Sequence, residues 1–331
     1  MLGIETAHVQ GINMSLTFNH QTNDISNATG TVTFNGTAVG GDNTPPVWYG
    51  SRGLFGGQTN GASAMIEYIT IATTGNATNF GNFSGDRSAY QHAGCSNGTR
   101  GVFGGSSGSN VIDYVTIATT GNATDFGDLT SNRFRHSSCS NGTRGVFAGG
   151  QESSSDVNLI DYITIATTGN AQDFGDLTIA RDKLVACADG TRGLFGGGHL
   201  GNTTIDYITI ASTGNATDFG DLSGTKFDMA SCSDTTRGLF AGGFISPNKI
   251  NVIEYVTIQT TGNATDFGDL TDVTDQFAGC SNAIRGVFAG GRKSGGNTNV
   301  IEYVTIQTTG NATDFGDLSV TKNNHASCSG T

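Results

Sequence analysis

Short runs of alternating apolar and polar residues recur along most of this chain, and no segment carries a 3.6-residue apolar period long enough for a helix. The stretch from residue 135 shows the pattern well. Its alternation predicts four extended segments at 135–140, 145–148, 159–165 and 173–177, separated by Asn-Gly-Thr, a Gly-Gly loop and Thr-Gly-Asn. Those separators are turn signals, so one unit reads as a four-stranded antiparallel meander.

The unit repeats. Arg-Gly-(Leu/Val)-Phe-(Gly/Ala)-Gly begins at Arg52, Arg100, Arg144, Arg192, Arg237 and Arg285, with spacings of 48, 44, 48, 45 and 48 residues. Each copy continues through (Asp/Glu)-Tyr-(Ile/Val)-Thr-Ile, a Thr-Gly-Asn-Ala turn, Phe-Gly-(Asp/Asn)-(Leu/Phe) and a variable stretch ending in Cys. A four-stranded unit of about 40–50 residues is the size of one propeller blade.

With Gly-Gly closing the second strand, Tyr in the third and an aromatic-x-x-Leu run in the fourth, residues 51–331 resemble kelch repeats. Two departures stand out. Phe (Phe80, Phe126, Phe174, Phe219, Phe267, Phe315) replaces the usual Trp, and an Arg ahead of the inner strand survives only in some copies, such as Arg87, Arg133 and Arg181. The resemblance implies an all-β, six-bladed kelch-like β-propeller. The chain ends add a test: the last inner strand has no Gly-Gly strand after it, and the first Gly-Gly strand has no clear inner strand before it. Residues 325–329 are therefore expected to complete the first blade and close the ring, which removes exposed sheet edges. Residues 1–46 fall outside the repeat. Alternation at 14–18 and 30–34, with Pro45-Pro46 at the boundary, predicts a short β-rich N-terminal attachment segment ahead of a propeller at 47–331.

Composition agrees. Gly supplies 51 of 331 residues and Pro only 3, which fits turns between strands and not a Pro/Gly-rich linker. The formal net charge of −12 argues against nucleic acid as a partner. Sixteen of the 28 acidic residues sit at repeat positions and belong to the scaffold. The N-terminus lacks a basic n-region and an apolar h-region, and no stretch is long enough to span a bilayer; a soluble protein without membrane insertion is expected.

In a meander blade the inner-to-second and third-to-fourth turns share one face of the disc. The second-to-third loops and the links between blades share the other. The first face is nearly uniform from copy to copy, whereas residues 58–64, 106–110, 151–158, 199–204, 244–251 and 292–299 differ in length and chemistry. Variation confined to one face, which also includes the links between blades (84–91 against 178–183), reads as adaptation for contact, with neutral drift of loops as the alternative. The candidate contact residues are Gln58, Asn60, Ser107, Asn110, Gln151, Glu152, Asp156, His199, Asn202, Phe244, Asn248, Lys249, Arg292, Lys293 and Asn297.

Other motifs have plainer readings. The cysteines, one per copy (Cys95, Cys139, Cys187, Cys232, Cys280, Cys328), are expected as buried thiols between sheets, with disulfides or a metal ring as alternatives. Three residues before them stand His92, His136, Leu184, Met229, Phe277 and His325, mainly an apolar packing position. Ring closure would nevertheless place the three histidines on consecutive blades. The Asp-Phe-Gly-Asp carboxylates are expected to cap turns and pair with the repeated Arg in preference to holding calcium. The Asn-Ala-Thr sequons at Asn76, Asn122, Asn215, Asn263 and Asn311 read as turns in which Asn tolerates positive φ. No singular acid, base and nucleophile break the symmetry, so no enzyme, cofactor or metal is expected.

Near-identical blades carrying Ile-Ala-Thr-Thr-Gly-Asn-Ala-Thr-Asp-Phe-Gly-Asp-Leu, as at 117–129, resemble propeller proteins of marine and cyanobacterial phage virions. The resemblance implies a tail-fibre-type or capsid-surface protein. Residues 1–46 would attach it to virion proteins, the variable face would recognise a host receptor or glycan, and a homo-oligomer is compatible with it. The other functions weighed are a structural or decoration protein of the virion and a non-viral kelch scaffold.

Overall fold

The computed structural model describes residues 49–57, 65–84, 91–199 and 202–331, together with short strands nearer the N-terminus. The chain divides into two compact units, Met1–Pro45 and Pro46–Thr331. In the first, Thr17–Asn19 pairs with Asp24–Ser26, and Thr33–Phe34 with Thr37–Ala38. Its remaining residues, including most of the predicted attachment segment, lie outside the described residues.

The second unit is a six-bladed β-propeller, and no helix occurs among its described residues. From the inside outward, blade 1 consists of Ala326–Gly330, Arg52–Gly56, Met65–Thr70 and Thr78–Asn82. Blade 2 runs Ala93–Ser96, Arg100–Ser106, Ser109–Thr116, Thr124–Asp128, and blade 3 runs Ser137–Ser140, Arg144–Ala148, Leu159–Thr164, Gln172–Asp176. Blade 4 is Val185–Ala188, Arg192–Gly196, Thr204–Thr209, Thr217–Asp221, and blade 5 is Ala230–Ser233, Arg237–Ala241, Val252–Thr257, Thr265–Asp269. Blade 6 completes the ring with Ala278–Ser281, Arg285–Ala289, Val300–Thr305 and Thr313–Asp317. The closure expected from the chain ends is present: Ala326–Gly330 pairs antiparallel with Arg52–Gly56, Cys328 opposite Leu54.

Three contacts, repeated around the ring, join the blades. Nearest the axis, each cysteine points into the next blade, onto the glycine of its Arg-Gly pair: Cys95 onto Gly145, Cys139 onto Gly193, Cys187 onto Gly238, Cys232 onto Gly286, Cys280 onto Gly53 and Cys328 onto Gly101. A methyl group on Gly193 would lie 2.6 Å from Cys139 Sγ, so glycine there is a matter of space. All six thiols are buried and free, and burial pushes Cys95 up to about 12. Midway out, the Arg of each Arg-Gly pair stacks on the Tyr of its own blade at 4.2–4.5 Å. Its guanidinium donates to a carbonyl of the next blade, as Arg144 does to Ile210 at 3.3 Å. At the rim, carbonyls of each outer strand accept two backbone N–H bonds from the next blade's Thr-Gly-Asn-Ala turn, for instance Gly169 N to Phe126 O and Ala171 N to Asp128 O, both 2.8 Å.

The rim contact corrects two sequence expectations. The repeated Asn is not in a left-handed conformation; its side-chain oxygen accepts a neighbouring blade's N–H, as Asn170 Oδ1 does from Asp128 N at 3.1 Å. The Asp-Phe-Gly-Asp carboxylates form no ion pair with the repeated Arg among the described residues, because that Arg is turned onto Tyr and a carbonyl. The glycine between those acids lets the next blade come close. A Cβ on Gly127, at φ 146°, would meet Gly169 O at 2.5 Å. Uniformity of this face therefore has a structural cause, and contrast with it is not by itself a mark of binding on the other face.

Beneath the variable face lies a layer of buried acids, one before each Tyr. Where the acid is Asp its partner is Arg (Arg133–Asp161 at 2.8 Å, Arg181–Asp206 at 2.9 Å). For two of the three Glu residues, Glu254 and Glu67, the partner is Lys (Lys226–Glu254 at 2.6 Å, Lys322–Glu67 at 2.9 Å). A long base meets a short acid and the reverse, so the reach across the slot is conserved. Arg133 and Arg181 were visible in the sequence as relics of a motif; Lys226 and Lys322 do the same job and were not recognised.

Gly193→Ala should cost about 1–3 kcal/mol by overpacking against Cys139. Adding Cys139→Ala should recover most of that loss, as read by chemical denaturation in a double-mutant cycle. Additive losses would show that the thiol and the glycine do not share the space.

Candidate functional site

The residue just before each inner-strand plug, namely Gln91, Arg135, Lys183, Asp228, Gln276 and Asn324, has φ between 51° and 59°. In this conformation each N–H donates to the carbonyl of the equivalent residue one blade back. Arg135 N donates to Gln91 O, Lys183 N to Arg135 O, Asp228 N to Lys183 O, Gln276 N to Asp228 O and Asn324 N to Gln276 O, at 2.7–3.2 Å. Gln91 N to Asn324 O, 2.9 Å, completes a cyclic band of six backbone hydrogen bonds on the variable face. The band surrounds the mouth of an axial cavity of about 140 Å³ that continues down between the inner strands. L-residues pay roughly 1–2 kcal/mol each for this conformation, and only Gly, Asn and Asp adopt it readily. Gln, Arg and Lys occupy four of the six places, so the side chains there matter more than backbone ease.

Those side chains form a directed chain around most of the mouth. Arg135 Nε donates to Gln91 Oε1 at 3.0 Å, Gln91 Nε2 to Asn324 Oδ1 at 3.4 Å, and Asn324 Nδ2 to Gln276 Oε1 at 3.0 Å. Gln276 Nε2 then donates to Asp228 Oδ2 at 3.4 Å, and Lys183 Nζ approaches the same carboxylate from the other side at 3.6 Å. Burial pushes Asp228 up, against the pull of Lys183 and Gln276.

Outside the band, between blades 3 and 4, Asp182 is fully buried. Arg135 Nη1 lies 3.3 Å from its Oδ2 and His199 Nδ1 3.8 Å from its Oδ1. Burial raises the Asp182 carboxyl, nearby Asp156 adds to the rise, and Lys183, Arg135 and His199 oppose it. Arg135 also donates to Gln151 Oε1 at 3.2 Å, and Gln151 to Asp156 Oδ1 at 3.3 Å. Beside this cluster His199, Phe227 and Phe244 form an aromatic shelf with centroids 5.0 and 5.4 Å apart, and Lys183 Nζ sits 4.9 Å from the Phe227 ring centroid.

The loops that carry many of the predicted contact residues are ordered hairpins. Gln151–Glu152 pairs with Ser155–Asp156, Phe244–Ile245 with Asn248–Lys249, and Arg292–Lys293 with Gly296–Asn297. Each hairpin is fastened to the preceding inter-blade link through the bridges Phe134–Gln151, Phe227–Phe244 and Asp275–Arg292. The structure thus gathers Gln151, Asp156 and His199 around Asp182, and sets Phe244 on Phe227. Glu152 shares the Gln151 hairpin, and Asn202 Nδ2 donates to His199 O at 3.3 Å. Lys249 Nζ donates to Lys293 O at 3.2 Å, joining two hairpins that also hold Asn248 and Asn297. Arg292 makes a two-pronged contact with Asp275 at 2.7 and 3.1 Å. Ser107 lies apart on the turn of blade 2, and Asn110 is in its third strand, donating to Leu129 O at 3.4 Å. Gln58 and Asn60 lie outside the described residues. Neither the six residues of the band nor Asp182 was among the named candidates, although Gln91, Asp182 and Lys183 lie in inter-blade links (84–91 and 178–183) whose divergence places them on the variable face. Their signal was a repeat column (Gln, Arg, Lys, Asp, Gln, Asn) in which chemistry varies while spacing to the plug is fixed.

The histidines act as plugs, each packed against the Gly-Gly pair of the preceding blade: His92 by Gly57, His136 by Gly105 and His325 by Gly290. Leu184, Met229 and Phe277 fill the same slots in the other blades, against Gly149, Gly197 and Gly242. No group of three or more His, Cys, Asp or Glu placed to hold a metal occurs among the described residues. Compared with known protein families and with curated proteins, the chain matches none.

Burial, helped by Lys322 and His92, pushes the His325 imidazole down to about 3. An unfolded histidine titrates near 6.5, so between these values the unfolded chain binds the extra proton. Stability should then fall as pH drops from about 6.5 toward 3. His325→Leu, which copies blade 4, should make the decline of Tm with acid shallower; an unchanged slope would show that this imidazole is not held neutral.

Proposed function

We propose that this protein is a binding module of a phage virion surface, of tail-fibre type, which recognises a host receptor or glycan through the channel mouth and the hairpins around it. The observation that carries the reading is the band: a backbone of six-fold regularity bears different polar side chains at successive blades, most of them residues that resist the conformation imposed on them. The chemistry suits a hydroxyl-rich ligand. Gln91, Gln276 and Asn324 both donate and accept, Arg135 and Lys183 donate, and Asp228 accepts. The half-buried rings of Phe227 and Phe244 offer apolar faces alongside. Binding in preference to catalysis is supported by the same geometry: the polar groups of the band are tied to one another in a chain. Placement on a virion, with residues 1–46 joining it to other virion proteins, rests on the resemblance of the repeats to kelch-like phage propellers.

Glycan-array and host-cell binding should be compared for the intact protein, for Arg135→Ala and Gln276→Ala, and for a variant in which residues 151–158 and 244–251 are replaced by Gly-Ser. Loss of binding by roughly tenfold or more for each, the scale of about 1.4 kcal/mol, is expected while Tm moves by only a few degrees. Unchanged binding in all of them would remove the variable face as the site. Intact host range in these variants of the channel mouth and hairpins, with virion incorporation lost on deletion of residues 1–46, would favour a purely structural virion protein.

A further inference from the structure

Glu302 is an irregular member of the buried acid layer. Glu67, Asp113, Asp161, Asp206, Glu254 and Glu302 are all 0–3 % exposed. Each accepts a backbone N–H from the link that leaves the preceding blade, as Glu302 Oε2 does from Thr271 N at 2.7 Å. In blades 1, 3, 4 and 5 a base from that link neutralises the acid. The base also has other oxygens to reach: Lys322 Nζ lies 2.9 Å from Glu67 Oε2, 3.0 Å from Met65 O and 3.4 Å from Phe55 O. Arg181 meets Asp206, Thr204 O and Phe195 O in the same way.

In blade 6 the base is replaced by Thr274, whose hydroxyl donates to Asp272 O at 3.2 Å. Glu302 is 3 % exposed, and among the described residues no positive side chain pairs with it. Its strand register repeats that of blade 1, with Phe288 opposite Glu302 as Phe55 is opposite Glu67. By that register the Phe288 and Val300 carbonyls take the places that Phe55 O and Met65 O hold in blade 1, Val300 O also accepting Gly290 N at 2.9 Å, while the protein cation supplied in blades 1, 3, 4 and 5 is omitted. A buried carboxylate without a counter-charge is strongly unfavourable.

We infer that blade 6 binds a potassium ion from solution at Glu302, with the carbonyl oxygens of Phe288 and Val300 as neutral ligands. One carboxylate balances one positive charge, whereas calcium sites gather several carboxylates, and an all-oxygen donor set does not favour soft transition metals. The Lys322 ammonium, close to potassium in size, shows that the equivalent oxygens of blade 1 accommodate such a cation. The inference is independent of what the variable face binds.

Thermal unfolding of the full chain in KCl, NaCl and choline chloride at equal ionic strength tests it. A cation that binds only the folded state raises Tm saturably, here by about 2–4 °C at concentrations well above its Kd. Potassium should give a larger rise than sodium. Thr274→Lys should raise Tm in choline chloride and abolish the potassium increment, and Glu302→Gln should abolish the increment as well. Equal Tm in KCl and choline chloride, equal increments from sodium and potassium, or a full increment retained in either variant would overturn the assignment. If Thr274→Lys fails to fold, the near-isosteric Glu302→Gln decides alone.

Discussion

Each blade is shaped to receive a piece of its neighbour, and the rest of the molecule depends on that fit. A glycine of the Arg-Gly pair leaves room for the preceding blade's thiol, and the glycine of Phe-Gly lets the next blade's turn approach. The Arg spans the gap between them, held flat on its own Tyr while its guanidinium reaches a neighbouring carbonyl. Apart from the Arg–Tyr stack, none of these contacts is available to a single blade. Six are mutually satisfied only when the chain returns on itself, which the pairing of Ala326–Gly330 with Arg52–Gly56 achieves.

The division of labour between the faces follows. Turns on one face are occupied in holding blades together through paired N–H bonds and an Asn acceptor, so their sequence is not free to change. On the other face the links must only supply the buried base, the left-handed residue and the plug; the rest of each link and hairpin is released to differ. The peptide band marks where the constraint ends, since its backbone is dictated by symmetry and its side chains are not. Below it the acid layer tolerates Arg–Asp or Lys–Glu because either pair spans the same slot, and Glu302 with Thr274 is the place where that rule lapses.

The fold was legible because its period, turns and strand count are written six times over, and because the orphan strand at each end could be matched. What escaped is information that lies between blades. The role of Asn170 depends on a partner 42 residues away, and that of Lys226 on Glu254, 28 residues on. A lysine replacing an arginine looked like loss of a motif until the longer acid opposite it was seen. The band at the mouth was hidden for a related reason: left-handed φ is ordinarily read from Gly or Asn, and here it is imposed on Gln, Arg and Lys by the ring of hydrogen bonds. Loop variability singled out Gln151, Asp156 and His199; the structure shows that Asp182 and Arg135, which it did not name, bring them together.

Closure of the ring is the claim on which all of this stands. Amide hydrogen exchange of the full-length protein, compared with a chain truncated after Asn323, measures it most directly. The account predicts that truncation strips protection from Arg52–Gly56 and lowers the stability of all six blades together. Unaltered protection of Arg52–Gly56 and an unchanged unfolding transition in the truncated chain would contradict it.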